Sequence, residues 1–370
     1  MELKVRLDAD LYQRLLLVVA LTLPCYLLLP GRILAALLPF ALAAATLRSA
    51  LRLDVADRAV LVTGCDTGFG LALAKHLTSL GFRVFAGCLL GDKDGPGAAE
   101  LRAIANPRLV VLQLDVTKQE DWDAALRTVQ SKLEPGAGLW GIVNNAGWAT
   151  FGEMEWVAME TYRRALDINV LGLIAGVKTF LPLIRISRGR VVTITSGLGR
   201  MAVPTRSPYC VTKYALEGAL DCLRYEMAPF GVAVSILEPG NFIAGTNIFN
   251  ESFVKSQAVI YHIMISSYKI SVLFLILINQ NLMWDGMSEE VKGAYGREYF
   301  DKKVEIMRSY MNNGIPDIQP VIDSYTDALL DAFPQARYQT MDLYFKVRCF
   351  VATHCPEMVY HWLYIGYTSR

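Results

Sequence analysis

The chain has 370 residues, 53% of them hydrophobic, and a formal net charge of +1. This length accommodates one α/β domain with additions at its ends, and the hydrophobic fraction points to membrane contact. The near-neutral charge excludes a general electrostatic footprint for nucleic acid. The seven cysteines are scattered and form no C-x-x-C pair, so the sequence predicts reduced thiols, with no metal site and no disulfide framework.

The first 55 residues predict a membrane anchor. Residues 15–29 and 33–47 are nearly uncharged apolar runs separated by Pro30, and each is short for a straight helix that spans a bilayer. A helical hairpin in one leaflet and one long broken helix both satisfy the backbone. A cleaved signal peptide or a mitochondrial transit peptide fits less well, because acidic residues occur early: Glu2, Asp8 and Asp10.

Between residues 56 and 318 the pattern alternates between strand and helix. Six short apolar runs predict buried strands, at residues 59–62, 83–86, 109–114, 141–143, 190–195 and 232–237. Helical segments separate them, beginning with residues 71–80. Continuous apolar strands joined by helices are typical of a parallel sheet covered on both faces. The sequence therefore predicts a doubly wound, Rossmann-type α/β domain.

A glycine-rich turn, T-G-C-D-T-G-F-G at residues 63–70, directly follows the first predicted strand and opens the first helix. Glycines let the backbone turn tightly and approach a pyrophosphate, whose charge is stabilised by the amides of the helix N-terminus. The position of the turn between strand and helix favours a dinucleotide site over a plain turn.

The spacing of this turn resembles that of the short-chain dehydrogenase/reductase family, and later motifs agree in order. Tyr209 and Lys213 have the Y-x-x-x-K spacing, with Ser196 thirteen residues upstream. Asn-Asn-Ala-Gly at 144–147 follows the fourth predicted strand, and Pro-Gly at 239–240 follows the sixth. The resemblance implies a dehydrogenase whose cofactor contacts are Gly64, Cys65, Asp66, Thr67, Gly68, Phe69, Gly70, Cys88, Asp115, Val116, Asn145, Ala146, Gly147, Tyr209, Lys213, Pro239 and Gly240.

Charge near the glycine turn favours NAD over NADP. The 2′-phosphate of NADP needs a cation near the turn or after the second strand, whereas Asp66 lies in the turn and would repel it. Arg83 and Lys93 are the nearest basic residues, and both are readable as solvated surface charges. Asp115, which closes the third strand, matches the position that the family uses at the adenine ring. A helix-capping role for Asp115 is the alternative.

Ser207-Pro208 predicts an N-cap and a first helical turn, so that Tyr209 begins a helix and Lys213 lies on its same face. A free phenol titrates near pH 10, and a base near pH 7 needs roughly three units of depression, about 4 kcal/mol. Lys213 and a positively charged nicotinamide can supply it together. Ser196 is predicted to hold the substrate oxygen by a hydrogen bond. The resemblance gives Asn169 the role of holding a water that relays the proton from Lys213.

Longer stretches resemble the mitochondrial D-β-hydroxybutyrate dehydrogenase branch of that family, from about residue 58 onward apart from one insertion. They include residues 85–89, 206–210, 222–227 and 238–244. The resemblance implies the NAD-dependent interconversion of 3-hydroxybutyrate and acetoacetate. The same branch includes membrane-bound 17β-hydroxysteroid and retinol dehydrogenases, which stay open as alternatives. A catalytically silent nucleotide-binding protein is the non-enzymatic alternative.

Substrate charge separates these alternatives, because a buried carboxylate must be paired. Arg200 and Arg206 lie between Ser196 and Tyr209, within reach of a bound substrate. Arg206 matches the hydroxybutyrate type more specifically and is the predicted carboxylate partner, with Arg200 second.

Two further segments depart from the catalytic pattern. Residues 319–370, rich in aromatic residues after Tyr338, are predicted to cap the substrate pocket or contact lipid, with core packing as the alternative. An atypical apolar insertion at about 257–282 is long enough to cross a bilayer, but a splicing or gene-model insertion explains it equally well. The resemblance implies a membrane-associated protein of the mitochondrial inner membrane, with the endoplasmic reticulum as the alternative, and allows a homo-oligomer.

Overall fold

The computed structural model describes residues 3–5, 43, 51–246, 281, 283–312 and 314–366. Its strands are β1 Leu3–Val5, β2 Leu51–Leu53, β3 Ala59–Thr63, β4 Arg83–Cys88, β5 Leu109–Gln113, β6 Gly141–Asn144, β7 Arg190–Ile194, β8 Ala233–Leu237 and β9 Arg337–Tyr338. Seven of them form one parallel sheet in the order β5-β4-β3-β6-β7-β8-β9. The other two, β1 and β2, form an antiparallel pair.

Helices connect the strands of the large sheet. They are α1 Gly68–Ser79, α2 Pro96–Ala103, α3 Gln119–Lys132, α4 Met159–Leu166, α5 Gly172–Ser187, α6 Ser207–Met227, α7 Ile243–Thr246, α8 Glu289–Tyr295, α9 Arg297–Asn312, α10 Gln319–Leu330, α11 Leu343–His354 and α12 Glu357–Tyr360. A π-helical turn, Asp167–Leu171, joins α4 to α5, and another, His361–Ile365, follows α12.

Both faces of the sheet are covered, as continuous apolar strands require. Every residue of β3 and of β7 is buried. On one face, α1, α2 and α10 contribute apolar side chains that include Leu73, Leu101 and Tyr325. On the other face, α3, α5 and α6 contribute side chains that include Trp122, Phe180 and Leu216. The predicted doubly wound parallel sheet is confirmed.

The six predicted strands are present within one or two residues of their predicted ends, but the predicted start of α6 is wrong. The helix begins at Ser207, and Arg206 occupies the cap position without a side-chain capping bond. The Ser207 hydroxyl instead lies 2.5 Å from the Tyr162 hydroxyl of α4. Tyr209 is therefore already inside the first turn of α6. The Ser207 hydroxyl contacts a second helix and does not cap its own.

Sequence patterns gave no sign of the seventh strand. β9 has only two residues and pairs with β8 through Ile236–Arg337 and Leu237–Tyr338. Within residues 319–370, α10 packs into the same core as α1, and β9 extends the sheet. The first part of that segment is thus built into the sheet domain, while the domain boundaries at 55/56 and 318/319 stay predictions.

The two predicted membrane segments lie outside the described residues, apart from residue 43 of the N-terminal run and residue 281 of the 257–282 insertion. Within the described part of the chain, one helix, Met159–Ser187, is long and apolar enough to cross a membrane by length and composition alone. Leu173, Val177 and Phe180 on this helix pack on the sheet. Burial in the core therefore explains its apolar face.

Candidate active site

The glycine-rich turn packs so tightly between β3 and α1 that side chains would not fit. Gly64 and Gly68 have φ of +70° and +57°, where a Cβ is strained. A Cβ on Gly64 would lie 2.8 Å from the Cα of Ala146, and one on Gly68 would lie 2.7 Å from the carbonyl oxygen of Thr246. A Cβ on Gly70 would collide with the carbonyl oxygen of Gly64. The turn therefore presents backbone at the start of a helix, the arrangement that binds a pyrophosphate.

The loop after β6 is held against this turn by side chains that point inward. The Thr63 hydroxyl oxygen accepts from the amides of Asn145 at 3.0 Å and Ala146 at 2.9 Å. The Asn145 amide donates to the Thr63 carbonyl at 2.9 Å, and its oxygen accepts from the Tyr325 hydroxyl at 3.1 Å. The Asn145 side chain thus braces two loops, and Gly147 is the exposed residue at their edge.

Three of the predicted cofactor residues have side chains directed into the protein. Cys65 and Cys88 are fully buried. Burial raises the pKa of both thiols, that of Cys88 to about 12. Phe69 packs edge-on against Phe242 at 5.9 Å between ring centroids. The thiols of Cys65 and Cys88 are therefore closed off from a ligand, whereas the neighbouring Thr67 is exposed.

Asp66 lies in the glycine turn after β3, and its carboxylate reaches the loop that follows β4. Its carboxylate accepts from the amides of Leu89 at 2.8 Å and Leu90 at 3.0 Å. A Cβ on Gly97, in the first turn of α2, would collide with the Asp66 carbonyl oxygen. Asp66 therefore fixes the loop after β4 and brings a negative charge to it.

Asp115 and Val116 shape the entry into α3. The Asp115 carboxylate accepts from the amide of Thr117 at 3.0 Å and from its hydroxyl at 2.7 Å. The Val116 carbonyl accepts from the indole nitrogen of Trp122 at 3.0 Å, and its side chain is buried. The structure thus gives Asp115 a local turn-forming role, whereas the helix-capping alternative is wrong, because Lys118 occupies the cap position of α3 without a side-chain capping bond. Its contact with an adenine ring stays a prediction.

The structure brings Tyr209, Lys213 and Ser196 together at the carboxyl ends of β6, β7 and β8. Tyr209 and Ser196 share a hydrogen bond. The Lys213 ammonium lies 5.4 Å from the centroid of the Tyr209 ring and donates to the Ile194 carbonyl at 3.2 Å. The Ser196 hydroxyl oxygen also accepts from the Leu198 amide at 3.1 Å, which fixes its orientation. A phenol, a hydroxyl and an ammonium thus meet at one point.

Burial dominates the protonation of this group. It raises the pKa of Tyr209 to about 12, against the lowering effects of the Ser196 hydrogen bond and of the Arg206 charge. Burial also lowers the pKa of Lys213 to about 8, against the charge of Glu217. At neutral pH the protein alone therefore holds a protonated phenol beside a mostly protonated ammonium. The sequence-based argument required the opposite direction for Tyr209, because it left out the desolvation of the phenolate.

Asn169 is fully buried on the π-helical turn between α4 and α5. Its side-chain oxygen accepts from the Trp148 amide at 2.7 Å, and its side-chain nitrogen donates to the Trp148 carbonyl at 2.7 Å. The same nitrogen donates to the Thr212 hydroxyl at 3.1 Å. The side chain therefore holds the loop after β6 against α6. Its role in holding a water stays a prediction.

The two arginines of the substrate loop act on different surroundings. The charge of Arg206 acts on the Tyr209 hydroxyl, whereas the charge of Arg200 acts on Tyr214 and on Cys349 of α11. Thr205, directly before Arg206, has φ of +64°, and its carbonyl accepts from the Gly152 amide at 2.9 Å. This backbone bond fixes the turn that leads into Arg206.

Pro239 and Gly240 follow β8 and connect the catalytic loop to the C-terminal part of the chain. The Pro239 carbonyl accepts from the Gly197 amide at 3.0 Å, beside Ser196. The Gly240 amide donates to the Thr340 carbonyl at 2.9 Å. Both residues lie at the carboxyl end of the sheet, which is consistent with the predicted contact with a cofactor. That contact stays a prediction.

Sequence reasoning missed a charged cluster behind Lys213. Arg337 of β9 donates to Glu217 at 3.0 Å, to Asp221 at 2.7 Å and to Glu238 at 2.9 Å. The Thr195 hydroxyl donates to Glu217 at 2.6 Å. The four-residue steps from Tyr209 through Lys213 to Glu217 were a readable signal in the sequence, since they share one helix face. Arg337 gave no such signal.

A doubly wound sheet with a glycine turn after its first core strand, and with a half-buried phenol and hydroxyl beside a buried ammonium at its carboxyl edge, defines a Rossmann-type oxidoreductase. The family model described as short chain dehydrogenase matches residues 58–255, which is more than half of the chain. The chain belongs to the short-chain dehydrogenase family.

Several curated proteins are similar to this chain. The mitochondrial D-beta-hydroxybutyrate dehydrogenase of Rattus norvegicus is 47% identical over 309 residues, which cover 83% of this chain and 84% of that protein. Retinol dehydrogenase 7 of Rattus norvegicus is 36% identical, covering 83% and 88%. The 11-beta-hydroxysteroid dehydrogenase type 2 of Oryctolagus cuniculus is 36% identical, covering 78% and 64%. The predicted resemblance to the hydroxybutyrate branch, with retinol and steroid enzymes further away, is confirmed.

One solved structure supports the fold. A short chain dehydrogenase/reductase from Burkholderia phymatum, crystallised in complex with NAD, superposes with a TM-score of 0.59. It covers 81% of this chain and 95% of its own, at 17% identity. At this identity the likeness concerns the fold alone.

Proposed function

We propose that the protein is a 3-hydroxybutyrate dehydrogenase that uses NAD to interconvert 3-hydroxybutyrate and acetoacetate. The observation that carries the proposal is the position of Arg206 at the cap of α6, three residues before Tyr209, from which its charge acts on the Tyr209 hydroxyl. A hydroxy acid places its carboxylate a few ångströms from the carbinol that reacts, and a buried carboxylate needs a cation there. The hydroxybutyrate dehydrogenases among the relatives, at 45–47% identity, support the same substrate.

The side chains of the site divide the proton chemistry between them. In alcohol oxidation the Tyr209 oxygen takes the proton of the substrate hydroxyl, and in ketone reduction it returns that proton. Ser196, which hydrogen-bonds Tyr209, orients the substrate oxygen by a second hydrogen bond. The Lys213 ammonium stabilises the phenolate by its charge. A bound nicotinamide would supply the carbon that accepts the hydride and, when oxidised, a positive charge that counteracts the effect of burial on the pKa of Tyr209.

The residues present fit a dinucleotide, and the charge at β4 favours NAD. Cβ atoms at Gly64, Gly68 and Gly70 would collide with neighbouring backbone atoms, so glycines keep the turn closed at the start of α1, where helix amides can meet a pyrophosphate. Asp66 presents its carboxylate at the loop after β4 and would repel the 2′-phosphate of NADP. The nearby Arg102 is already paired with Asp94 and with the Gly91 carbonyl.

The C-terminal helices support membrane association. Several of their apolar side chains are exposed: Leu343, Tyr344, Val347, Phe350, Met358, Trp362 and Leu363. The Tyr360 hydroxyl donates to the Ala202 carbonyl at 3.2 Å, so this surface is joined to the substrate loop. The names of the relatives favour the mitochondrion over the endoplasmic reticulum. Full-length chain that stays in the supernatant with phosphatidylcholine vesicles would contradict membrane association.

Substitution of Arg206 tests the substrate. Arg206→Met should raise KM for 3-hydroxybutyrate, with a loss of about 2–5 kcal/mol in kcat/KM, because a charge-assisted pair in a desolvated site is lost. Arg206→Lys should recover part of that loss, since an ammonium cannot form a bidentate pair. NAD affinity should stay near the wild-type value in both variants.

Arg163→Met is the matched control, because Arg163 is an exposed arginine of α4 paired with Glu160. It should leave KM unchanged. Steady-state kinetics with 3-hydroxybutyrate, retinol and a hydroxysteroid complete the test. If Arg206→Met keeps the wild-type kinetics with 3-hydroxybutyrate, another residue binds the substrate carboxylate, and Arg200 is the next candidate. A wild-type enzyme that oxidises only retinol or the steroid would exclude the hydroxy-acid function.

A further inference from the structure

One face of α6 carries the proposed catalytic pair and then two acidic residues. Tyr209, Lys213, Glu217 and Asp221 follow one another at four-residue steps, so they lie in one row along the helix. Lys213 and Glu217 are only 3% and 5% exposed. An ammonium and a carboxylate buried one turn apart stabilise each other, because solvent cannot screen them.

Glu217 is held in place from two other elements. Its Oε1 accepts from the Thr195 hydroxyl at 2.6 Å, and Thr195 directly precedes Ser196. Its Oε2 accepts from the Arg337 guanidinium of β9 at 3.0 Å. The carboxylate is thus fixed between the end of β7 and the seventh strand, with little freedom to turn away from Lys213.

Arg337 supplies the charge that this carboxylate needs. Burial and the charge of Glu238 raise the pKa of Glu217, while the Thr195 hydrogen bond and Arg337 lower it. Glu238 is fully buried and accepts from Arg337 at 2.9 Å and from Gln339 at 2.8 Å. Without Arg337, two buried carboxylates would face each other, and one of them would take up a proton.

The groups around Lys213 come from every neighbouring element. Tyr209 and Glu217 lie on its own helix, and the Ile194 carbonyl and Thr195 come from β7. Glu238 follows β8, Arg337 lies on β9, and Cys349 of α11 is reached by the charges of Glu238 and Glu217. With Asp221 and its partner Arg224, the cluster holds three cations and three anions: Lys213, Arg224 and Arg337 against Glu217, Asp221 and Glu238. Removing one anion leaves an excess of positive charge around Lys213.

We propose that Glu217 is a positioning residue of the reaction, whose carboxylate, held by Thr195 and Arg337, keeps Lys213 in the ammonium form beside Tyr209. The proposal rests on the roles proposed above for Tyr209 and Lys213. It gives β9 a part in catalysis without any contact with substrate: the seventh strand sets the charge state of a lysine on α6 through one arginine.

The sign of the effect follows from the burial of Lys213. Burial already lowers the pKa of this lysine to about 8, and the Glu217 charge works against that lowering. Glu217→Gln removes the anion, so Lys213 should lose its proton at a lower pH. An opposite charge within a few ångströms typically shifts a pKa by about 1–3 units. The alkaline limit of kcat/KM should therefore move down by about one pH unit or more.

Glu217→Gln is compared with Asp221→Asn, the matched control one turn further along the helix. Both substitutions replace a carboxylate partner of Arg337 with an amide of the same shape, but Asp221 lies twice as many turns from Lys213. Two quantities are measured against pH: kcat/KM with whichever alcohol the wild-type enzyme turns over, and NADH affinity by fluorescence titration. The second needs no turnover. Thermal unfolding of both variants reports the structural cost.

The expected result is a downward shift of the alkaline limit in Glu217→Gln in both profiles, with the limit of Asp221→Asn at the wild-type pH. A Glu217→Gln enzyme with a lower Tm and a wild-type alkaline limit would overturn the proposal and leave Glu217 a structural role. Lys213→Ala distinguishes failure of the role proposed for Lys213 from failure of the role proposed for Glu217. If Lys213→Ala retains the alkaline limit, that limit does not belong to Lys213, whatever the result with Glu217→Gln.

Discussion

The two halves of the candidate site are built by different means. The cofactor half consists of the glycine turn and the loop after β6, where backbone atoms pack closely and side chains such as Asn145 are used as braces. The catalytic half consists of two desolvated titratable groups, the half-buried Tyr209 and the buried Lys213, next to a charged cluster. The first half works by shape and the second by electrostatics. Substitutions in the cofactor half should therefore change the affinity for the dinucleotide equally at every pH. Substitutions in the catalytic half should change kcat and the pH dependence of kcat/KM.

The largest effect should come from the phenol. Tyr209→Phe should lower kcat by a factor on the order of 10²–10⁴, because a group that transfers the proton is lost. NADH affinity should stay near the wild-type value, because the hydroxyl transfers the substrate proton and contributes little to cofactor binding. Tyr225→Phe on the same helix, at a side chain that is 76% exposed, is the control and should change neither quantity. Turnover retained in Tyr209→Phe would contradict the assignment of Tyr209 as the proton donor and acceptor.

Adding side-chain volume in the cofactor half should weaken dinucleotide binding and lower stability. Gly70→Ala should weaken dinucleotide binding and lower the free energy of unfolding by about 1–3 kcal/mol, because its Cβ meets the Gly64 carbonyl and the Asn145 amide. The loss of affinity should be the same across the pH range. Gly218→Ala is the matched control, a helical glycine with open space around its Cβ position. If Gly70→Ala shifted the pH profile while leaving affinity intact, the division between the two halves would be wrong.

The smallest effect should come from the one charge of the cofactor half. Asp66→Asn should raise the ratio of kcat/KM with NADP to that with NAD by roughly two- to fivefold, because charges near solvent interact by about 1 kcal/mol or less. Asp92→Asn, at an exposed residue of the same loop, is the control. An unchanged ratio would show that another group selects between the two cofactors.

Local sequence patterns were sufficient to predict the elements whose structure depends on residues close together in the chain. The six long strands are continuous apolar runs, and the glycine turn follows one of them, so both were readable without the fold. The row of Tyr209 and Lys213 followed from helical spacing alone. Ser207 was misread as a cap because its actual partner, Tyr162, lies on another helix. The assignment of the site residues to their roles stays a prediction for the experiments above.

The sequence by itself determined the class of fold, the position of the glycine turn, and the order of Ser196, Tyr209 and Lys213, which meet in the candidate site. These depend on periodicity and on residues a few positions apart. Only the tertiary structure decided that Tyr209 is desolvated, that the charge of Arg206 acts on its hydroxyl, and that Arg337 reaches Glu217 from a strand of two residues. Burial and charge depend on chain segments more than 100 residues apart, as in the 120 residues between Glu217 and Arg337, and no local pattern encodes that proximity.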